Sequence, residues 1–200
     1  MKRIFFFFLL FPFTFYVLQS FAQGGYTSSI QQFRTHYINT HEVVKVNDRS
    51  FLRFFPIDKD FSVSAHFTRS FNTSWFTMET SGKIKKQFRV YGYLEFRIAD
   101  TVCKLAVYQS EDLLGNPVYA KYLFLPFTDR TSGIETYENG RYIDLKTDEL
   151  DGNTLTLDFN KAYNPYCAYV SNQYNCPIPP KENDLPVAIR AGEMKYGKSH

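Results

Sequence analysis

The side chains of this chain that could do chemistry gather between positions 129 and 193. Asp129, Glu135, Arg141, Asp144, Asp158, Asn160, Tyr163, Asn164 and Glu193 stand there among further tyrosines, including Tyr137 and Tyr142. One chemistry is a carboxylate dyad. Asn139-Gly140 is a two-residue pair suited to a type I′ hairpin, which needs positive φ at both positions. The register it sets places Glu138 opposite Arg141, Tyr137 opposite Tyr142 and Glu135 opposite Asp144. Side chains facing each other in a hairpin lie about 4.5–5.5 Å apart at Cβ, and two acids that close push one pKa up. Such a pair suits acid/base or glycosidase-type work.

A second chemistry is binding. The run Asp158 to Asn164 follows a strand and enters a proline-braced loop, where a rigid backbone holds side chains ready for a ligand. Arg141 would clamp an acidic ligand group, or Asp158, through its planar guanidinium. Asp129 and Glu193 stand behind these as further ligand-binding candidates. The same residues also have a structural reading. Asp129 with Thr131 and Gly133 suits a hydrogen-bonded turn. Asp158 and Asn160 suit capping of the Asn164-Pro165 turn, with Arg141 tying down a loop.

Other sites are poorly supported. There is no G-x-S-x-G elbow, glycine-rich phosphate loop or H-E-x-x-H helix. His36 and His41 do not share a helix face, and His66 falls on the polar side of its strand. Asp148, Asp151 and Asn153 read as a turn rather than a calcium loop. No metal or cofactor is expected.

The elements that must position these residues are mostly strands. Phe61, Val63, Ala65 and Phe67 alternate on one face. Ser50 to Phe55 reads as a short strand stopped by Pro56. Trp75–Glu79 and Ile84–Tyr91 flank the turn signal Ser81-Gly82. Tyr93–Ile98 and Val102–Tyr108 flank Ala99-Asp100-Thr101, and Tyr119–Phe127 is strand again. Asp151-Gly152 would pair the Tyr142–Leu145 strand with Thr154–Phe159. From Lys161 to Pro186 the periodicity disappears, and the prolines exclude a central strand. An ordered Pro/Tyr-rich loop is expected there, then a closing strand from Leu185 to Ala191. One amphipathic helix precedes all this, capped by Ser28 or Ser29, with Ile30, Phe33, Tyr37 and Ile38 in one stripe and an end before Asn47-Asp48. The fold class expected is mainly β: a single antiparallel β-barrel-like or β-sandwich domain with one N-terminal helix.

The N-terminus reads as an export signal. Met1-Lys2-Arg3 is a positive n-region, Ile4–Leu18 an apolar h-region, and Ser20-Phe21-Ala22 a cleavage site. The apolar run is too short for a spanning helix, which needs about 20 residues. Cleavage after Ala22 leaves residues 23–200 as one β-rich domain in the periplasm or outside the cell. Its charge of +1 and its 28 aromatic residues argue against a nucleic-acid partner and against disorder. Cys167 and Cys176, nine positions apart in an irregular segment, are expected to bridge, leaving Cys103 as a buried small hydrophobe. Bridges from Cys103 to either partner are the alternatives.

A set of motifs runs from Phe124 to Glu193: Phe124-Leu125-Pro126-Phe127-Thr128-Asp129, Thr131-Ser132-Gly133, Gly140-Arg141-Tyr142, Asp158 to Pro165, Cys176-Pro177-Ile178-Pro179-Pro180 and Ala191-Gly192-Glu193. It closely resembles the prokaryotic family catalogued as domain of unknown function 1684, with a family-like core over about 75–196. The resemblance implies members without export signals and supplies no reaction, substrate or cofactor. The function expected is an exported, non-enzymatic binding module for a polar small molecule or saccharide. A carboxylate-dependent hydrolase and a structural envelope protein are the alternatives.

Overall fold

The computed structural model describes residues 13–150 and 152–198. The n-region and most of the h-region therefore lie outside the described residues. Seven antiparallel strands follow a long helix, α1 (Phe13–Thr40): β1 (Ser62–Arg69), β2 (Phe76–Met78), β3 (Lys86–Ile98), β4 (Thr101–Ser110), β5 (Tyr122–Phe127), β6 (Arg141–Lys146) and β7 (Thr154–Asp158). They form one sheet in the order β6-β5-β4-β3-β1-β7, with β2 on β3. The sheet curls into a half-barrel. Among the described residues no helix is long and apolar enough to cross a membrane.

The alternation in β1 does what its pattern dictates. Ala65 and Phe67 are buried, with Phe61 and Val63 packed against the same core. That core also takes Leu94, Phe96, Leu105, Leu125, Phe127 and Leu157 from the concave faces of the other strands, and Phe159 from the 3₁₀ turn after β7. Each such side chain contributes about 1.5–3 kcal/mol by leaving water. A second cluster, Met78, Phe88, Ala106 and Tyr108, lies on the opposite face, so the sheet needs a cover on that side too.

The two segments expected at Ile84–Tyr91 and Tyr93–Ile98 are one strand with a bulge. β3 pairs with β2 along its first part and with β1 along its second, and its pairing with β4 shifts register between Val90 and Gly92. A side chain at Gly92 would collide with the Phe67 ring and the Thr68 carbonyl, so glycine permits the close approach that the bulge requires.

Several expectations need correction. Ser28 and Ser29 cap nothing, because α1 is already helical upstream and runs through Gly24-Gly25. Once nucleated, a helix propagates at little cost, so no cap is needed there. Val46–Phe51 is a 3₁₀ turn rather than a strand, and only Phe54 bridges, to Glu193. Residues 131–140 form no hairpin arm. Asn139 lacks positive φ, and Gly140 (φ +83°) closes a turn by donating to the Tyr137 carbonyl at 3.1 Å. β6 pairs with β5 instead, Arg141 facing Phe127 and Asp144 facing Phe124. β7 pairs with β1, not with β6. The two end strands face each other across an open groove lined by Ile143, Leu145, Leu155 and Thr156.

Leu185–Ala191 is buried at alternate points but is not a strand. Pro186 has no N–H to donate. Backbone bonds with Thr128 and Arg130 hold the segment only as far as Val187, and beyond it the side chains of Arg141 and Asp129 take over. The Pro/Tyr-rich segment before it is ordered as expected. It wraps across the sheet through 3₁₀ turns at Tyr166–Ala168 and Lys181–Asn183, and covers the second cluster. Cys167 and Cys176 are bridged across 6.3 Å between Cα atoms, and Cys103 is free and buried.

Candidate functional site

The polar residues singled out from the sequence sit in three buried networks. In the first, Arg141 is 0% exposed and pairs with Asp129 at 2.9 Å. Its guanidinium also donates to the carbonyls of Ile189 (2.8 Å), Ala191 and Glu193 (3.2 Å). Asp129 accepts in turn from the Thr131 amide and hydroxyl and from the Ile189 amide. Arg141 thus pairs with Asp129, not with Asp158.

In the second network Asp158 accepts from the Tyr26 hydroxyl and the Asn160 amide, each at 3.0 Å. The Asn160 side chain grips both backbone groups of Asp58: its Nδ2 donates to the carbonyl at 2.7 Å and its Oδ1 accepts from the N–H at 3.0 Å. In the third, Glu193 is 0% exposed and accepts from the hydroxyls of Tyr169 (2.8 Å) and Tyr37 (3.1 Å) and from the Asn164 amide (2.9 Å). The Asn164 side chain donates to the Met194 carbonyl at 2.8 Å. These networks fasten α1 and the C-terminal wrap to the half-barrel. Asp129, Arg141, Asn160, Asn164 and Glu193 are all buried and bonded to the chain itself.

Burial pushes the Glu193 carboxyl up to about 7, against the opposing pull of the Asn164 amide and the Tyr169 and Tyr37 hydroxyls. The folded protein therefore holds this proton more tightly than the unfolded chain does, and stability falls as pH rises through the interval between the two pKa values. The contribution is complete below pH ~4.5 and lost above pH ~7, and a shift of this size amounts to about 3 kcal/mol. Urea midpoints of the wild type and Glu193→Gln between pH 4.5 and 8 should converge at the acid end. The wild type should lose ground towards pH 8 while the variant stays flat. Parallel curves would contradict this assignment.

The carboxylate dyad does not form. Glu135 lies outside any strand and pairs with Arg190 at 2.9 Å. Asp144 accepts from the Tyr163 hydroxyl at 2.9 Å. The Asp144 carboxylate reaches solvent but is hemmed in by protein, and this desolvation raises its pKa against the pull of Tyr163.

Tyr163 leads to a concave feature of the surface. A cleft of about 480 Å³ opens between the β2–β3 turn, β6 and the disulfide loop. Tyr142, Tyr163, Tyr166 and Tyr174 supply its aromatic surface, Gln173 and Asn175 its amides, and Lys86 a cation. Its walls are braced. The Tyr142 hydroxyl donates to the Pro177 carbonyl. The Ser81 amide donates to the Cys176 carbonyl at 2.9 Å, and the Cys176 amide donates to the Ser81 hydroxyl at 3.1 Å. The Ile84 amide donates to Asn175 Oδ1 at 2.9 Å. Tyr166 and Tyr174 meet edge to face at 5.1 Å. The disulfide thus holds a tyrosine- and amide-bearing loop over the edge of the sheet.

A family model described as a protein of unknown function (DUF1684) matches residues 49–194. The chain belongs to this family. The match includes β1, upstream of the stretch that carries the quoted motifs. A solution NMR structure of an uncharacterised protein from Haloarcula marismortui is similar, at 30% identity, covering 86% of this chain and 96% of that one, with a TM-score of 0.64. No curated protein matches the chain.

In this DUF1684 member, of the residues singled out from the sequence as site candidates, Tyr142, Tyr163 and Cys176 line the cleft. Tyr166, Tyr174, Gln173, Asn175 and Lys86 were not among them. For Gln173, Tyr174 and Asn175 the one sequence signal was composition: aromatic and amide side chains concentrated between two cysteines. Tyr26, Tyr37 and Arg34 of α1 were also missed as polar anchors, although they share the stripe carrying Ile30. The Arg34 guanidinium donates to the Phe55 carbonyl at 2.8 Å and lies over the Phe54 ring.

Proposed function

We propose that this DUF1684 member is an exported, non-enzymatic binding module whose ligand is a polar small molecule, best a saccharide, seated in the tyrosine-lined cleft. The observation that carries this reading is the company the tyrosines keep. Four aromatic rings and two side-chain amides border one concavity beside a disulfide. Tyrosine rings cover the C–H faces of a sugar ring, and amides pair with its hydroxyls. Such a surface is concave and mostly apolar with a few placed polar groups, as ligand sites are. Export after cleavage at Ala22 follows from the tripartite N-terminus, and the disulfide suits the compartment it leads to.

A hydrolase reading would need two carboxylates converging on one substrate. Asp129, Glu135, Asp144 and Asp158 are instead each taken up by a partner of its own.

The test starts from protein recovered from the envelope fraction, whose intact mass should begin at Gln23; an intact Met1 there contradicts export. Calorimetric titration with a panel of mono- and oligosaccharides, neutral and acidic, should then show binding. Tyr174→Ala, at an exposed position, should weaken it about tenfold, the effect of one lost aromatic contact of ~1–1.5 kcal/mol. Binding unchanged by Tyr174→Ala, or no binding across the panel, sinks the reading.

A further inference from the structure

Lys86 differs from its neighbours on the β2–β3 turn. Lys85 pairs with Glu79 at 2.8 Å. Lys86, half-buried at the start of β3, lines the cleft, and among the described residues no carboxylate lies within ion-pair distance of it. The strand backbone fixes its position, since Lys86 sits opposite Met78 of β2. The bond from the Ile84 amide to Asn175 ties the same turn to the disulfide loop. An ammonium held in a concavity beside tyrosine rings, with no counter-ion, attracts an anion more strongly than one on an open surface. Two acids stand behind cleft tyrosines: Asp144 accepts from the Tyr163 hydroxyl and Glu42 from the Tyr166 hydroxyl, each at 2.9 Å. Both would repel a ligand carrying several negative charges. A single cation beside two acids already held by tyrosines suits one negative charge on the ligand.

We infer that the cleft is selective for an acidic saccharide, a sugar bearing one carboxylate, with Lys86 receiving the carboxylate while the tyrosines cover the ring. The inference rests on the saccharide reading above and deepens it. Lys86 acts here as a specificity-determining residue rather than as a source of most of the affinity.

The test compares glucuronic acid with glucose, and short uronate oligomers with neutral ones, by calorimetry on the mature protein. The wild type should prefer the uronate about tenfold, and the preference should shrink as salt rises from about 20 to 300 mM. Lys86→Gln should erase the preference. Lys83→Gln removes the same charge from an exposed neighbour outside the cleft lining and should keep the preference. Neutral sugars binding as well as uronates in the wild type would overturn the inference and leave the saccharide reading standing. So would a preference that survives Lys86→Gln. Failure of both sugar types to bind overturns both. A glucose phosphate bound more tightly than the uronate would also overturn it, because the site would then favour a doubly charged group.

Discussion

Replacing Arg141 with lysine is expected to cost about 3–5 kcal/mol of stability, because one ammonium cannot serve a carboxylate and three buried carbonyls together. The guanidinium is wholly buried and serves four acceptors at once: Asp129 and the carbonyls of Ile189, Ala191 and Glu193. A lysine keeps the charge, but its three donors radiate from one atom and cannot reproduce the planar fork. At least one of the buried carbonyls is then left unpaired, and each such group costs about 1–3 kcal/mol. Burial pulls the Arg141 pKa down and Asp129 opposes the fall, so the charge depends on its partner. Urea denaturation should show a lower midpoint with an unchanged slope, and Asp129→Asn combined with Arg141→Lys should cost much less than the sum of the two. A loss under 1 kcal/mol would show that Arg141 is not the fastener described here. With a typical domain stable by only 5–15 kcal/mol, the variant should sit near the limit of folding.

Asn183→Leu should be nearly as damaging. β4 and β5 share only the Tyr108–Phe124 pairing as a registered ladder. Beyond it, the Asn183 side chain stands between them. Its Nδ2 donates to the carbonyls of Ala106 (2.9 Å) and Pro126 (2.7 Å), and its Oδ1 accepts from the Ala106 amide (2.8 Å). Pro126 has no N–H and cannot complete the ladder itself. Leucine has similar volume and would strand three buried backbone groups, for a loss of about 3 kcal/mol or more. Hydrogen exchange at the Ala106 amide should accelerate accordingly. Protection of that amide unchanged from wild type would mean that the strands close up without Asn183.

These two side chains explain where the sequence was legible and where it was not. Period-two alternation and turn residues placed β1, the β2–β3 hairpin and the β3–β4 hairpin correctly, because burial of one face is decided locally. The disulfide was legible from spacing in a segment with no regular structure. The closing strand was misread for a physical reason. Leu185, Ile189 and Ala191 are apolar and buried as a strand's would be, but Arg141, from far away in sequence, takes the carbonyls a neighbouring strand would have taken. The Asn139-Gly140 hairpin failed similarly. Asp129 gathers residues 129–136 into a compact loop, with Thr131 accepting three amides, and leaves no arm to pair with β6. The site residues were legible only as a group. Arg141, Asn160, Asn164 and Glu193 are polar motif residues, and residue type alone does not tell a buried fastener from a ligand contact. Asn160 and Asn183 each use the side-chain amide as a surrogate peptide group against a distant backbone, a pairing no local pattern announces.

The most direct measurement is an amide-resolved NMR titration of the mature protein with the tightest-binding sugar of the panel. Shifts are expected at Tyr163, Tyr166, Tyr174, Asn175 and Lys86, with the amides of Arg130–Gly133 and Ile189–Glu193 unmoved. Shifts centred on the Arg141–Asp129 network, with the disulfide loop silent, would contradict the division between scaffold and site.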